Sequence, residues 1–195
     1  MKKLMSLEEA KKMLAPHLKV VYQIYKDAYD DLNRAAGAAR TEMDKGSRSK
    51  VLHNFAVVRA KQYFEDIQDV LKIEKYLSIQ LVFKDENQNI LVGRFKKIDR
   101  RSKLCAYTNT TQRSFGIAHQ QYTLFDNLAT TYIDFGYCTN YTNTEIEFIS
   151  VVCRIGNSVI WSFDLNDDDL RNQQPITTNP TSPSTNILVK LKKAD

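Results

Sequence analysis

The chain lacks the sequence features that mark membrane, secreted and disulfide-stapled proteins. No apolar run approaches the roughly 20 residues that span a bilayer. The basic start of residues 1–9 turns acidic at once and has no apolar core of a secretory signal. The cysteines are Cys105, Cys138 and Cys153, and an odd number at wide spacing argues against a disulfide framework and a zinc cluster. We therefore expect a cytoplasmic protein without membrane association, metal or cofactor.

Motifs of the common enzyme classes are absent as well. The histidines His17, His53 and His119 include no HExxH pair, and P-loop, GxGxxG and GxSxG sequences do not occur. His53 is predicted to be an ordinary surface histidine. A nucleophile pair of Cys105 with His119 stays open, because sequence spacing says little about contact. No reaction follows from these motifs, so whether the protein is an enzyme also stays open.

The chain does have the composition of a folded domain. Hydrophobic residues make up 43% and charged residues 26%, which is ordinary for globular proteins. The formal net charge of +5 is uneven, since residues 1–104 hold 22 Lys and Arg against 14 Asp and Glu. A basic first half favours contact with a polyanion. A well-solvated helical surface is the alternative interpretation.

Three helices are predicted in the first part of the chain. Ser6 and Glu9 have the spacing of a capping box, and Pro16 is expected to end the helix that follows. Apolar residues at three- and four-residue steps then predict a second helix over residues 17–39. A similar stripe predicts a third helix over residues 47–73.

The pattern then changes to the two-residue period of β-strands. Residues 77–83 and 90–98 flank a polar turn and predict a hairpin. Three further strands are predicted over residues 130–138, 145–154 and 158–165, and a short helix within residues 113–127. Gly156-Asn157 provides the turn between the last two strands. The prediction is one α+β domain over residues 1–165, helical over 1–75 and mainly antiparallel β over 76–165.

Residues 166–195 are predicted to be a flexible polar tail. The stretch holds three prolines and many Asn, Thr and Ser residues, which is typical of a linker. It ends in an apolar and basic segment, residues 186–193, that either frays or adds as a strand to a sheet edge of this chain or of a partner. The candidate partner-binding residues are Ile187, Leu188, Val189 and Leu191.

The densest basic cluster lies at the end of the second hairpin strand and in the loop after it. The candidate nucleic-acid-binding residues are Arg94, Lys96, Lys97, Arg100, Arg101 and Lys103. Phe95 or Tyr107 is a candidate for stacking on a base. Strand alternation places Arg94 and Lys96 on one face and Phe95 and Lys97 on the other, so that only one pair faces solvent. Positive charge that protects an edge strand from aggregation is the alternative interpretation.

A metal-dependent nuclease is the alternative function, with lysine supplied by Lys96 or Lys97. Its acids would come from Asp85, Glu86, Asp134, Glu145 and Glu147. Arg94 and Phe95 stand where the second acid of such a core is expected, which argues against this assignment. A structural or small-molecule-binding module is a third hypothesis.

Several short motifs lie within residues 47–165. They are Arg94-Phe95-Lys96-Lys97-Ile98-Asp99, Thr108-Asn109-Thr110-Thr111-Gln112, Phe135-Gly136-Tyr137, Gly156-Asn157 and Trp161-Ser162. In these the chain resembles a family of uncharacterised bacterial proteins encoded beside ImmA/IrrE-type metallopeptidase regulators. The resemblance implies a protein partner in a toxin–antitoxin-like or antiphage defence module, and it carries over no catalytic residue. The first expected function is therefore a binding protein of such a module, acting through a protein partner and nucleic acid.

Overall fold

Helices come first and strands follow in the part of the chain that the computed structural model describes, residues 4–75, 78–105, 130–166 and 170. The helices are α1 (Leu7–Leu14), α2 (Leu18–Ala36) and α3 (Lys45–Tyr63), with short 3-10 turns at Ala15–His17 and Gly37–Thr41. The strands are β1 (Val70–Lys75), β2 (Ser78–Lys84), β3 (Ile90–Lys97), β4 (Thr130–Thr139), β5 (Ile146–Ile155) and β6 (Ser158–Asp164). The predicted α+β class is confirmed.

Local signals set both ends of the first helix as predicted. The Ser6 hydroxyl accepts the Glu9 backbone N–H at 3.3 Å, and the Glu9 carboxylate accepts the Ser6 N–H at 2.8 Å. This is the expected capping box. Pro16 lies in the 3-10 turn that separates α1 from α2, because proline cannot donate the hydrogen bond that would continue the first helix.

The prediction of a third helix to residue 73 is wrong over its last part. The helix α3 ends at Tyr63, and Val70–Lys75 instead pair antiparallel with β2. The apolar residues of this stretch fit either period, and the sheet bonds along β2 decide between them. Val70 is buried in the core, whereas Leu71 on the other face of the strand is exposed. The sheet therefore begins within the part of the chain predicted to be helical.

The six strands form one sheet in sequence order, from β1 to β6. All neighbouring pairs are antiparallel except β3 and β4, which run parallel, so the predicted mainly antiparallel sheet is confirmed. Gly156 adopts a φ of +58° in the β5–β6 turn, a left-handed conformation that glycine tolerates. The helix predicted within residues 113–127 and the tail beyond residue 170 lie outside the described residues.

The helices cover one face of the sheet. The core between them contains aromatic residues from both layers, among them Tyr25, Phe95, Phe135 and Tyr137. Gly93 leaves room for the Phe135 ring, since a Cβ on Gly93 would lie 2.3 Å from a ring carbon. The Tyr25 hydroxyl donates to the Phe135 carbonyl oxygen at 2.6 Å and accepts the Lys96 backbone N–H at 3.2 Å, so it bridges β3 and β4. These contacts fix α2 over the parallel pair of strands.

No helix within the described ranges is long and apolar enough to cross a membrane.

Candidate nucleic-acid interface

The basic segment of residues 94–103 does not form one surface patch. Arg94 lies on the face of the sheet opposite the helices, because its neighbour Phe95 packs in the helix-covered core. This alternation agrees with the prediction. Arg94 is only 5% exposed. Phe95 is 1% exposed, so its predicted stacking on a base is wrong, and the alternative Tyr107 lies outside the described residues.

Arg94 belongs to a buried group, here called the interior cluster, that consists of Arg94, Asp134 and Arg154. The parallel register sets Arg94 beside Asp134, and β5 brings Arg154 to the same carboxylate. Arg94 Nε lies 2.5 Å from Asp134 Oδ1, and Arg154 Nε lies 3.0 Å from Oδ2. All three residues are at most 5% exposed. The interior cluster therefore ties three central strands together inside the protein.

Cys105 closes the interior cluster at one side. Its thiol donates to Asp134 Oδ2 at 3.3 Å. Burial, together with the negative charge of Asp134, raises the pKa of Cys105 to about 12. The thiol stays protonated at neutral pH and is a poor nucleophile. Its hypothetical partner His119 lies outside the described residues, so the nucleophile pair is not tested.

Lys96 lies two residues after Arg94 on β3 and is partly buried. Burial first of all, and then the like charge of Arg94, lowers the pKa of Lys96. His53 on α3 is also partly buried, and burial with the charge of Lys96 lowers its pKa to about 4. The prediction of an ordinary surface histidine is therefore wrong, because α3 packs this residue towards the sheet.

Lys97 points to the opposite side of β3 and meets the beginning of α3. Its Nζ donates to Ser49 Oγ at 3.0 Å and to Asn143 Oδ1 at 3.1 Å. Both acceptors are neutral. Burial first of all, with the like charges of Lys45 and Arg48, lowers the pKa of Lys97. Two cations of α3 therefore act on a lysine of β3 at this end of the sheet.

We call Lys45, Arg48 and Lys97 the surface cluster. Among the residues described, no carboxylate forms a salt bridge with any of the three. The nearby Asp44 carboxylate is occupied as the α3 cap, accepting the N–H groups of Gly46 and Ser47 at 2.7 and 2.9 Å. The surface cluster thus has positive charge available for an anion.

Hydrogen bonds fix the turn whose Asn143 accepts a hydrogen bond from the surface cluster. The turn between β4 and β5 closes through the Asn140 N–H and the Glu145 carbonyl at 3.0 Å, and through the Asn140 side chain and the Thr144 N–H at 2.8 Å. Asn143 has a φ of +53° in this turn and is buried. The Tyr29 hydroxyl on α2 donates to the Thr144 carbonyl. The turn is therefore held to the helices.

Tyr141 lies at the tip of the same turn. It is 86% exposed, the most exposed large hydrophobic side chain among those described. Lys45 Nζ lies 4.9 Å from the centre of its ring, within cation–π distance. In proteins that bind single strands, a solvent-facing aromatic ring stacks on a base while neighbouring cations contact the phosphates.

The loop after β3 carries the remaining predicted residues. Arg100 forms a salt bridge with Glu147, and Lys103 Nζ lies 2.6 Å from Asp164 Oδ1. Arg101 is exposed, and its backbone N–H helps to close the turn on Asp99 at 3.0 Å. Two of these three cations thus have carboxylate partners. Their predicted role in binding nucleic acid stays a prediction.

The acids proposed for the nuclease alternative are divided among separate structural roles. Asp85 accepts the Asn89 side chain in the β2–β3 turn at 2.8 Å, Asp134 is held by two arginines, and Glu147 pairs with Arg100. Across the ranges that the structure covers, no group of three or more His, Cys, Asp or Glu residues has the arrangement of a metal site. The described residues therefore do not form the metal-binding active site that the nuclease alternative requires.

Sequence reasoning missed Lys45, Arg48 and Tyr141. Basic residues at the start of α3 and a tyrosine inside a polar turn were visible in the sequence, but nothing there places them beside Lys97. The predicted partner-binding residues of the tail lie outside the described residues. Comparison of the chain with protein-family models, curated proteins and solved structures finds no match.

Proposed function

We propose that this protein is a binding protein that holds the phosphate backbone of a nucleic acid at the surface cluster. The observation that carries the proposal is the convergence of Lys45, Arg48 and Lys97 without a salt-bridged carboxylate among the described residues. Phosphates that enter this field release their counterions, which drives binding. A bound phosphate would also offset the repulsion from Lys45 and Arg48, which adds to the effect of burial in lowering the pKa of Lys97.

Tyr141 favours a single strand as the ligand. Its ring is 86% exposed and lies against Lys45. Bases stack on such a ring when they are free of a complementary strand, at about 1–3 kcal/mol per base. Phosphates on the cations and a base on Tyr141 would hold the strand without regard to its sequence.

The family resemblance supports a place for this binding in a toxin–antitoxin-like or antiphage module. In such a module the protein would attach a protein partner to nucleic acid. The surface cluster would supply affinity, and the partner would supply the reaction.

The test is fluorescence anisotropy with a labelled single strand of about 20 nucleotides, longer than the site of one binding domain. The triple variant Lys45→Gln, Arg48→Gln and Lys97→Gln is expected to bind at least about tenfold more weakly than the wild type at moderate salt. Tyr141→Ala is expected to lower affinity for the single strand and leave affinity for a duplex of the same length unchanged.

A matched control removes three charges elsewhere. Lys12, Lys19 and Lys26 are exposed on α1 and α2, and their replacement by Gln changes the net charge equally. Unchanged binding by this control, with loss in the surface-cluster variant, supports the proposal. Equal losses in both variants would show that binding depends on net charge and not on the surface cluster, which contradicts the proposal. The absence of binding by the wild type would refute the proposal.

A further inference from the structure

The strand β1 forms one edge of the sheet. It pairs with β2 on one side and with no other strand among those the structure describes. An edge strand of this kind presents a row of backbone N–H and C=O groups to any chain that lies beside it. The strand has six residues, Val70–Lys75, and every second one turns its N–H and C=O away from β2.

Exposed apolar side chains gather at the same edge. Leu71 is 58% and Ile73 is 46% exposed, both on the face away from the helices. Val58, 47% exposed, lies one turn before Lys61 on α3, and Lys61 forms a salt bridge with Glu74 of β1. Two of the five exposed large hydrophobic residues within the described ranges therefore lie on this edge strand, and a third lies on the helix whose Lys61 contacts it. Such clustering marks an interaction site more often than scattered exposure does.

Acidic residues precede the strand. Glu65, Asp66 and Asp69 are exposed in the connection from α3 to β1. None of the three forms a salt bridge within the ranges that the structure covers. The amino-terminal end of β1 is therefore negative, in a protein whose formal net charge is +5.

The sequence contains a segment with the complementary pattern. In residues 186–193 one alternate set is apolar at Ile187, Val189 and Leu191 and ends with Lys193. The other set consists of Asn186, Leu188, Lys190 and Lys192. As a strand, this segment would have one face that is apolar up to its last residue, and both faces would end in lysine.

We propose that residues 186–193 of this chain add as an antiparallel strand to the open edge of β1 in the same molecule. Ile187, Val189 and Leu191 then extend the face of Leu71 and Ile73, and Leu188 turns to the helix side of the sheet. The antiparallel direction carries the basic end of the segment to the acidic connection, whereas the parallel direction would carry it away. This inference is independent of the nucleic-acid proposal.

The connection is long enough for this placement. Leu170 is buried in the core. Fifteen residues separate it from residue 186, and an extended chain of this length reaches about 50 Å, more than the diameter of a small domain.

Amide hydrogen exchange of the full chain tests the proposal. The peptide that covers β1 is expected to exchange slowly in the wild type, because an added strand protects the N–H groups that point away from β2. The double variant Val189→Asp and Leu191→Asp is expected to raise its exchange rate at least about tenfold. The matched control Ile176→Asp with Thr178→Asp places the same charges in the tail outside the segment and is expected to change nothing.

The direction of the strand has its own test. Asp66→Lys with Asp69→Lys is expected to speed exchange of β1, and adding Lys190→Glu with Lys192→Glu is expected to slow it again. Equal exchange of β1 in the wild type and in the Val189→Asp, Leu191→Asp variant overturns the proposal. Protection that grows with protein concentration also overturns it, because the occupant would then be a second copy.

Discussion

Two groups of cations in this protein differ in what surrounds them. The interior cluster places two arginines on the Asp134 carboxylate inside the sheet. The surface cluster places three cations around neutral acceptors and an exposed aromatic ring. A buried guanidinium without a carboxylate is too costly to keep, so charge in the interior is compensated. Charge left uncompensated at the surface costs little in stability and is free to attract an anion.

The largest expected effect comes from breaking the interior cluster. Asp134→Asn removes the carboxylate shared by Arg94 and Arg154 and is expected to lower the free energy of unfolding by about 3–5 kcal/mol. Urea unfolding followed by circular dichroism measures this loss.

The control for that variant is Glu147→Gln, which removes an exposed carboxylate from Arg100. Its expected cost is below about 1 kcal/mol, because solvent screens exposed pairs. Similar losses in the two variants would show that burial does not distinguish the two kinds of ion pair.

A smaller effect is expected from pH, through the partly buried His53 of α3. The pKa of His53 is lowered from 6.5 to about 4 in the folded protein. Between these values the unfolded chain binds a proton that the folded chain does not, so stability falls as pH drops from about 6.5 towards about 4. The contribution of His53 is no more than about 3 kcal/mol.

His53→Gln removes this group and tests its share. The variant is expected to lose less stability than the wild type as pH drops over this range, while His17, whose pKa is also lowered, keeps a part of the slope. Urea midpoints measured at several pH values give both slopes. Parallel curves for wild type and variant would contradict the burial of His53.

The smallest expected effect on stability is in the surface cluster. Arg48→Gln removes one of three like charges. It is therefore expected to raise the free energy of unfolding, by no more than about 0.5 kcal/mol. The same urea experiment measures it. A loss of several kcal/mol would place Arg48 among the residues that hold the fold and would remove the contrast between the two clusters.

Local features of the fold could be predicted from the sequence. Ser6 and Glu9 define a helix start through their own spacing, and Gly156-Asn157 marks a turn between two alternating runs. The alternation of Arg94 and Phe95 also gave their opposite faces correctly. Each of these signals depends on residues close together in the chain.

Features that depend on distant pairing could not be predicted. The strand β1 was assigned to a helix because its apolar residues fit both periods and only β2 selects one. The parallel pairing of β3 with β4 joins Arg94 to Asp134 across 40 positions. The surface cluster needs Lys97 from β3 and Lys45 from α3, and no local pattern connects them.

The salt dependence of single-strand binding counts the phosphates that the protein contacts. Each phosphate contact on a single strand contributes about 0.7 to the slope of log affinity against log salt. Replacing Lys45, Arg48 and Lys97 by Gln is expected to lower this slope by about 2. No such change is expected when Lys12, Lys19 and Lys26 are replaced. Equal slopes for the surface-cluster variant and the wild type would show that the surface cluster does not hold phosphates.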